Sequence, residues 1–350
     1  MESTFSRTPW ARYGRRMHDA YAFISRLPAP IPILEVAGGG ADALAGAAPE
    51  RLALIVASAE AHYGRLALAA GDALSRRWLE RARNPYLAEI DAVAARLGRA
   101  GAHLLNVSFE WTCTSGVAAD PSGLGNRMLR TLDWPLNGLG RALVVARQDG
   151  GAGAYLNVTW PGFAGIATAM ARGRFAAALN QPPMPRFTPS CRLDWAILRA
   201  RVFGRTELPP AHLLRRVFDS CPGYAEARTM LTETPLCLPA IFVLSGTGAD
   251  EGCVIERTET EARVRESPAC SANHWQSFHR PGRARGAESE KRARSLQDIH
   301  RRAPDGFAWV VAPILNRTTR VAVVANAKRG TLWVQGFEAD GPASAPLTIP

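Results

Sequence analysis

Cys113, in the run Thr112-Cys113-Thr114-Ser115 and followed at a short distance by Arg130 and Asp133, is the residue best placed in this chain for nucleophilic chemistry. A thiol needs a base before it attacks a carbonyl. The nearest base is the cysteine's own α-amine, which exists only if the Thr112–Cys113 peptide bond is cut. An α-amine titrates at about 7.7–8.0 and a thiol at about 8.5, so the two groups exchange a proton near neutrality and titrate as a pair. The arrangement points to a chain that cleaves itself between Thr112 and Cys113. A buried structural cysteine is the alternative that residue type alone leaves open.

Further segments carry a resemblance. The stretch Gly125-Asn126-Arg127-Met128-Leu129-Arg130-Thr131-Leu132-Asp133-Trp134 resembles the Arg-Asn-Met-Asp-Phe stretch of acid ceramidases and N-acylethanolamine-hydrolysing acid amidases. Ala227–Thr234, Leu238–Gly246 and Glu251–Arg257 are similar to the same family in the same order, and the likeness runs from about Pro85 to about Phe337. These enzymes are N-terminal-nucleophile cysteine hydrolases. The resemblance implies an α+β fold, a four-layer α-β-β-α sandwich, with an N-terminal helical extension. It divides the chain at the cleavage site, into a helical segment 1–112 and a catalytic region 113–350 that stay packed together after cutting.

The resemblance also implies roles. Arg130 would stabilise the Cys113 thiolate, and Asp133 would orient the α-amine and hold its proton; a local Arg–Asp ion pair accounts for the same two residues without chemistry. Asn273, in Ser271-Ala272-Asn273-His274-Trp275, is similar to the family's Thr-Asn-Tyr segment and would donate to an oxyanion, a contribution of roughly 2.7–4 kcal/mol; His274 replaces the tyrosine. Arg292 stands where the family carries a catalytic-site arginine, with Arg294 as the alternative register. Glu110, in Phe109-Glu110-Trp111, resembles a Tyr-Glu pair that precedes the cysteine, here nearer to it than in the family, and is grouped with the substrate-binding residues. Trp111, Trp134, Trp160, Phe163 and Met170 are candidates to line an acyl pocket, or else ordinary core.

These residues need elements to hold them. Apolar residues at helical spacing between Glu50 and Arg83 predict two helices or one bent pair, and Asn84-Pro85 predicts a capped helix with Ile90, Val93, Ala94 and Leu97 on one face. Gly38-Gly39-Gly40 and the stretch Ala41 to Ala48 read as a flexible connection. Beyond Cys113 short β-like runs appear at 142–145, 155–158, 241–244, 253–255, 309–311, 321–324 and 332–334, with helices at 193–201, 213–219 and 224–233 grouped among them. Pattern alone stops at α+β.

Composition narrows the function classes. A chain of 350 residues, 47% hydrophobic, buries a sizeable core. Six dispersed cysteines do not form a disulfide framework. Cys270, His274 and His279 lack a fourth ligand at a recognisable spacing, so no metal and no cofactor is expected. The net charge of +11 and isoelectric point near 10 raise nucleic-acid binding. Of 42 basic residues, however, only Lys291 and Lys328 are lysines, which reads as genomic composition bias. The dense basic stretch from His279 to Arg302 has no interleaved aromatics for base stacking, so no nucleic-acid partner is expected, while transient contact with an anionic membrane surface stays open. Met1 to Arg26 carries Arg7, Arg12, Arg15, Arg16 and Arg26 without an apolar run of signal-peptide length, so a cytoplasmic protein is expected.

The sequence thus predicts hydrolysis of a linear N-acyl amide, a fatty-acyl amide such as an N-acylethanolamine or a ceramide-like lipid, through an acyl-thioester on Cys113. An acyltransferase or a penicillin- or bile-salt-type amidase on the same nucleophile is the nearest rival. An inactive lipid-binding homologue is the second.

Overall fold

The computed structural model describes residues 30–350 apart from Ala37, Ala303 and Asp305. The arginines of the first 26 residues lie outside the described residues.

Two sheets form the centre. The first has eight strands in the order Ile33–Glu35, Val144–Gly150, Gly153–Thr159, Thr168–Ala171, Phe175–Asn180, Ala240–Ser245, Gly252–Arg257 and Ala262–Glu266. The second has seven, in the order Ala269–Ser271, Thr112–Ala119, Asn126–Asp133, Thr319–Asn326, Thr331–Glu338 and Gly341–Pro342, with Leu347–Ile349 also paired to Thr331–Glu338. The central strands 126–133, 175–180, 240–245 and 319–326 are buried at every position, so they lack an alternating polar face. Strands read this way when both faces of their sheet are covered. One face of each sheet packs on the other sheet, where strands 112–119 and 126–133 meet 175–180 and 240–245. The outer faces carry helices Pro210–Ser220 and Tyr224–Glu233 on the first sheet and Ser289–Arg302 on the second. This is the α-β-β-α order that the resemblance implied.

The chain ahead of Cys113 is woven into this body. Ile33–Glu35 pairs in parallel with Val145–Arg147 at the edge of the first sheet. The helices Pro49–Tyr63, Arg65–Arg81 and Leu87–Leu97 contribute Ile55, Val56, Leu68, Trp78, Ile90 and Val93 to the same core cluster as the sheet residues. The expected helix pair breaks at Gly64, whose φ of +81° favours glycine. The helix expected from Asn84-Pro85 starts at Leu87, because the Asn84 side chain accepts from the Tyr86 N–H at 3.0 Å and bonds His212 Nδ1 at 2.9 Å.

Two expectations need correction. Ala41–Ala47 is a helix and not a flexible connection: alanine favours helix, and Leu44 packs with Ala48, Val144 and Ala146. The run Trp309-Val310-Val311 is not a strand. It lies in a turn-rich segment whose Trp309 packs with Leu129, Leu296 and Ile314 beneath the Ser289–Arg302 helix.

A titratable clamp ties three N-terminal helices together. His103, on the short helix Ala102–Asn106, is buried with Nδ1 at 3.1 Å from Asp72 and Nε2 at 2.9 Å from Asp91. Burial alone would lower the imidazole pKa, but the hydrogen bonds and charges of the two carboxylates outweigh it and hold it above its ordinary value. Stability from His103 is therefore complete below about pH 6.5 and lost as pH rises through the raised value. His212 and His300, which burial depresses to about 3 and about 4, act in the opposite sense, losing stability as pH falls below about 6.5. The contribution of His103 is isolated by a difference. The stability gap between the wild type and His103→Gln, read by urea denaturation, is expected to be larger at pH 6 than at pH 8; a gap independent of pH would contradict the clamp.

Candidate active site

Cys113 enters the strand Thr112–Ala119 at its second residue, with Leu132 opposite it and Asp133 opposite Thr112. Its thiol is fully buried and lies 3.5 Å from the Leu179 carbonyl of the facing sheet. Arg130, two positions from Leu132 on the partner strand and therefore on the same face, donates to that carbonyl at 3.2 Å and to the Ala167 carbonyl at 3.3 Å. Its Nε–H is bonded to Thr168 Oγ1. Thiol and guanidinium thus meet at one oxygen. Burial pushes the thiol pKa up, while the Arg130 charge and hydrogen bond pull it down, helped by Arg292 and opposed by Asp133.

Asp133 sits behind the strand, also fully buried. Its carboxylate accepts from Thr319 Oγ1 at 2.9 Å and Asn316 Nδ2 at 3.0 Å, and Arg292 Nη1 stands 3.6 Å away. Burial raises its pKa against the pull of Arg292 and of these hydrogen bonds. Arg292, on the buried face of the Ser289–Arg302 helix, donates to the Cys113 carbonyl and to Thr114 Oγ1, each at 2.7 Å, and to Asn273 Oδ1 at 3.0 Å. Arg294 points away and pairs with Glu290 in solvent. Of the two registers open in the sequence, only Arg292 reaches the cluster.

Asn273 is at the centre, in an orientation the sequence did not anticipate. The Cys113 backbone N–H donates to Asn273 Oδ1 at 2.9 Å, and Asn273 Nδ2 donates to the Gln181 carbonyl at 2.7 Å. Two donors, from Cys113 and Arg292, converge on Oδ1 and fix the amide with its oxygen toward the cysteine. In the uncut chain Asn273 therefore holds the nitrogen that would become the α-amine, and its own N–H groups face elsewhere. Gln181 carries a buried side-chain amide with neither atom bonded among the described residues. Nothing in a lone Asn-Gln-Pro run would have marked it.

A loop packs against the Thr112 side chain. Gly286, at φ +65°, passes so close that a Cβ there would lie 3.1 Å from Thr112 Oγ1 and 3.1 Å from an Arg292 nitrogen. Only glycine suits that approach and that backbone.

The residues expected at the substrate do not share one pocket. Trp111, Trp134, Trp160 and Phe163 form one cluster of tilted and edge-to-face rings, with ring centroids 5.3 Å apart for Trp111–Trp134, 5.9 Å for Trp134–Trp160 and 6.2 Å for Trp111–Phe163. Trp134, Trp160 and Phe163 line an apolar slit of about 30 Å³ under the N-terminal helices, room for a water molecule and not for an acyl chain. Met170 is apart from them, in a groove with Arg172 and Ile349. Glu110 bonds Tyr63 Oη at 2.6 Å and lies 3.9 Å from Arg199. A far larger cleft, about 650 Å³, opens among Pro183, Pro185, Leu198, Val202, Trp275 and Arg280. That volume is in the range of small-molecule sites.

The basic stretch 279–302 is not one surface. Arg283 pairs with Asp194, Lys291 with Glu288, Arg294 with Glu290 and Arg301 with Asp298, while Arg285 and Arg292 turn inward. All six cysteines are free, five of them buried and Cys191 exposed. Among the described residues no helix is long and apolar enough to cross a membrane.

No family model matches the chain. By sequence it is 29% identical over 179 residues to the N-acylethanolamine-hydrolyzing acid amidase of Oryctolagus cuniculus, covering 49% of this chain and 48% of that protein. It is 31% identical over 108 residues to the acid ceramidase of Homo sapiens, covering 30% of this chain and 25% of that protein. The chain is a sequence homologue of both. It spans about half the length of the first relative and about a quarter of the second. Among solved structures, a Caenorhabditis elegans N-acylethanolamine-hydrolyzing acid amidase ortholog aligns with a TM-score of 0.49 at 19% identity, over 68% of this chain and 100% of that one.

Proposed function

We propose that this protein is a self-cleaving cysteine amidase that hydrolyses linear N-acyl amides. The observation that carries the reading is the convergence on Cys113: its N–H on Asn273, its thiol beside Arg130, its carbonyl on Arg292, with Asp133 behind. Each of these groups has a task in such a reaction. Attack of the thiol on the Thr112 carbonyl breaks the Thr112–Cys113 C–N bond and frees the α-amine, whose nitrogen Asn273 Oδ1 already orients, and water then hydrolyses the resulting thioester to leave Thr112 as a carboxylate and return the thiol. The amine then takes the thiol proton, and Arg130 steadies the thiolate. The thiolate adds to the substrate carbonyl, and the intermediate collapses as the α-ammonium returns its proton to the departing amine. Water, deprotonated by the α-amine, cleaves the thioester and releases the carboxylic acid.

The names of the relatives support a fatty-acyl amide as substrate, and the apolar walls of the large cleft suit an acyl chain. The segments before and after the cut are held together by the shared core and by the strand 33–35. Rapid quenching of the protein with N-dodecanoylethanolamine, followed by mass spectrometry, tests the chemistry. A dodecanoyl adduct is expected on the fragment that begins at Cys113, together with release of dodecanoic acid; acid release with the adduct on another residue would overturn the assignment of the nucleophile.

A further inference from the structure

Two inward-turned guanidinium groups packed on the segment that leads into Cys113 face a single carboxylate. Arg199 is largely buried, donating to the Val107 carbonyl at 2.7 Å and also to the Ser108 carbonyl, and it lies 3.9 Å from Glu110 Oε1. Arg285 donates to the Phe109 carbonyl at 2.9 Å, and its buried Nε–H has no partner among the described residues. Both line a cavity of about 30 Å³ with Phe109, Glu110 and Met184, and that cavity shares Leu198 and Val202 with the large cleft. Arg285 precedes Gly286, the residue pressed against Thr112, and its guanidinium bonds a carbonyl only four residues ahead of Cys113. The other oxygen of Glu110 is taken by Tyr63. A neutral head group gives a buried cation pair of this kind little to bind. A carboxylate satisfies it, as Glu110 does in part within the chain itself.

We propose that Arg199 and Arg285 form a carboxylate-recognition site next to Cys113, and that the substrates are N-acyl amino acids. The reading rests on the amidase chemistry above and specifies its leaving group. An α-amino acid carries its carboxylate two bonds from the amide nitrogen, which matches a cation placed beside the nucleophile and not at the far end of the cleft. Hydrolysis breaks the amide C–N bond, adds water across it and yields a fatty acid and an amino acid.

The test compares N-dodecanoylglycine with N-dodecanoylethanolamine on the self-cleaved protein. The expected kcat/KM is at least about tenfold higher for the glycine amide. Arg285→Gln is expected to reduce that preference by about tenfold or more, and Arg285→Lys to restore part of it. Should Arg285→Gln fail to fold or to cut, inhibition of the wild type decides, with N-dodecylglycine expected to compete more strongly than N-dodecylethanolamine. Equal or better hydrolysis of the ethanolamide, or a preference unchanged in Arg285→Gln, would overturn the carboxylate site while leaving the amidase reading intact. Failure of the fully cut protein to hydrolyse either amide would overturn both.

Discussion

Cys113→Ala is expected to remain a single chain and to lose N-acyl amide hydrolysis by at least about 10⁴-fold, the scale on which removal of a covalent nucleophile acts. The replacement is conservative for the fold. It removes one sulfur and leaves the strand pairing of residue 113 with Leu132 in place, so the denaturation midpoint should stay close to that of the wild type. Cys113→Ser keeps a nucleophile of lower reactivity and is expected to cut slowly. A Cys113→Ala protein that hydrolyses amides at a rate within tenfold of the wild type would remove the cysteine from the reaction.

The second large effect is expected at Asp133. The resemblance gives Asp133 a role at the α-amine, and the structure adds a structural one: the carboxylate is fully buried and is the ion-pair partner of an equally buried Arg292. Even the isosteric Asp133→Asn leaves that guanidinium without a counter-charge, and an uncompensated buried charge costs about 3–5 kcal/mol. The expected result is a loss of about 3 kcal/mol in urea denaturation together with loss of self-cleavage. Stability within about 1 kcal/mol of the wild type would show that the pair contributes little to the fold. Measuring stability and cutting on the same sample separates the two consequences.

The grouping of Cys113 with Arg130 and Asp133 was legible in the chain because the three lie on one hairpin. Cys113, Arg130 and Asp133 belong to adjacent antiparallel strands, so a local stretch of sequence carries their geometry. Asn273 and Arg292 are distant in sequence, and their positions depended on a family likeness; the structure places them at the cysteine and chooses Arg292 over Arg294 because only one face of the helix is covered. The orientation of the Asn273 amide was not legible, since it follows from which donors converge on its oxygen. For the aromatic residues the sequence left acyl pocket and ordinary core both open, for a related reason. Tryptophan and phenylalanine suit a closed core and a lipid site equally, and only the packing of the N-terminal helices reveals a slit too small for a chain. The flexible reading of Ala41 to Ala48 gave weight to the glycines before it and too little to the helix propensity of alanine. Arg199 and Arg285 escaped notice among 40 arginines, because nothing in the sequence says which of them turn inward.

The central claim is that Cys113 becomes N-terminal by cutting of the bond to Thr112, and the intact mass of the active wild-type protein tests it most directly. The account predicts two fragments, Met1–Thr112 and Cys113–Pro350, that copurify under native conditions and separate only when denatured, as the shared core and the strand 33–35 require. It also predicts that amidase activity rises in proportion to the fraction cut, because an amide nitrogen still bonded to Thr112 cannot serve as the base. A single uncut chain with full amidase activity would contradict it.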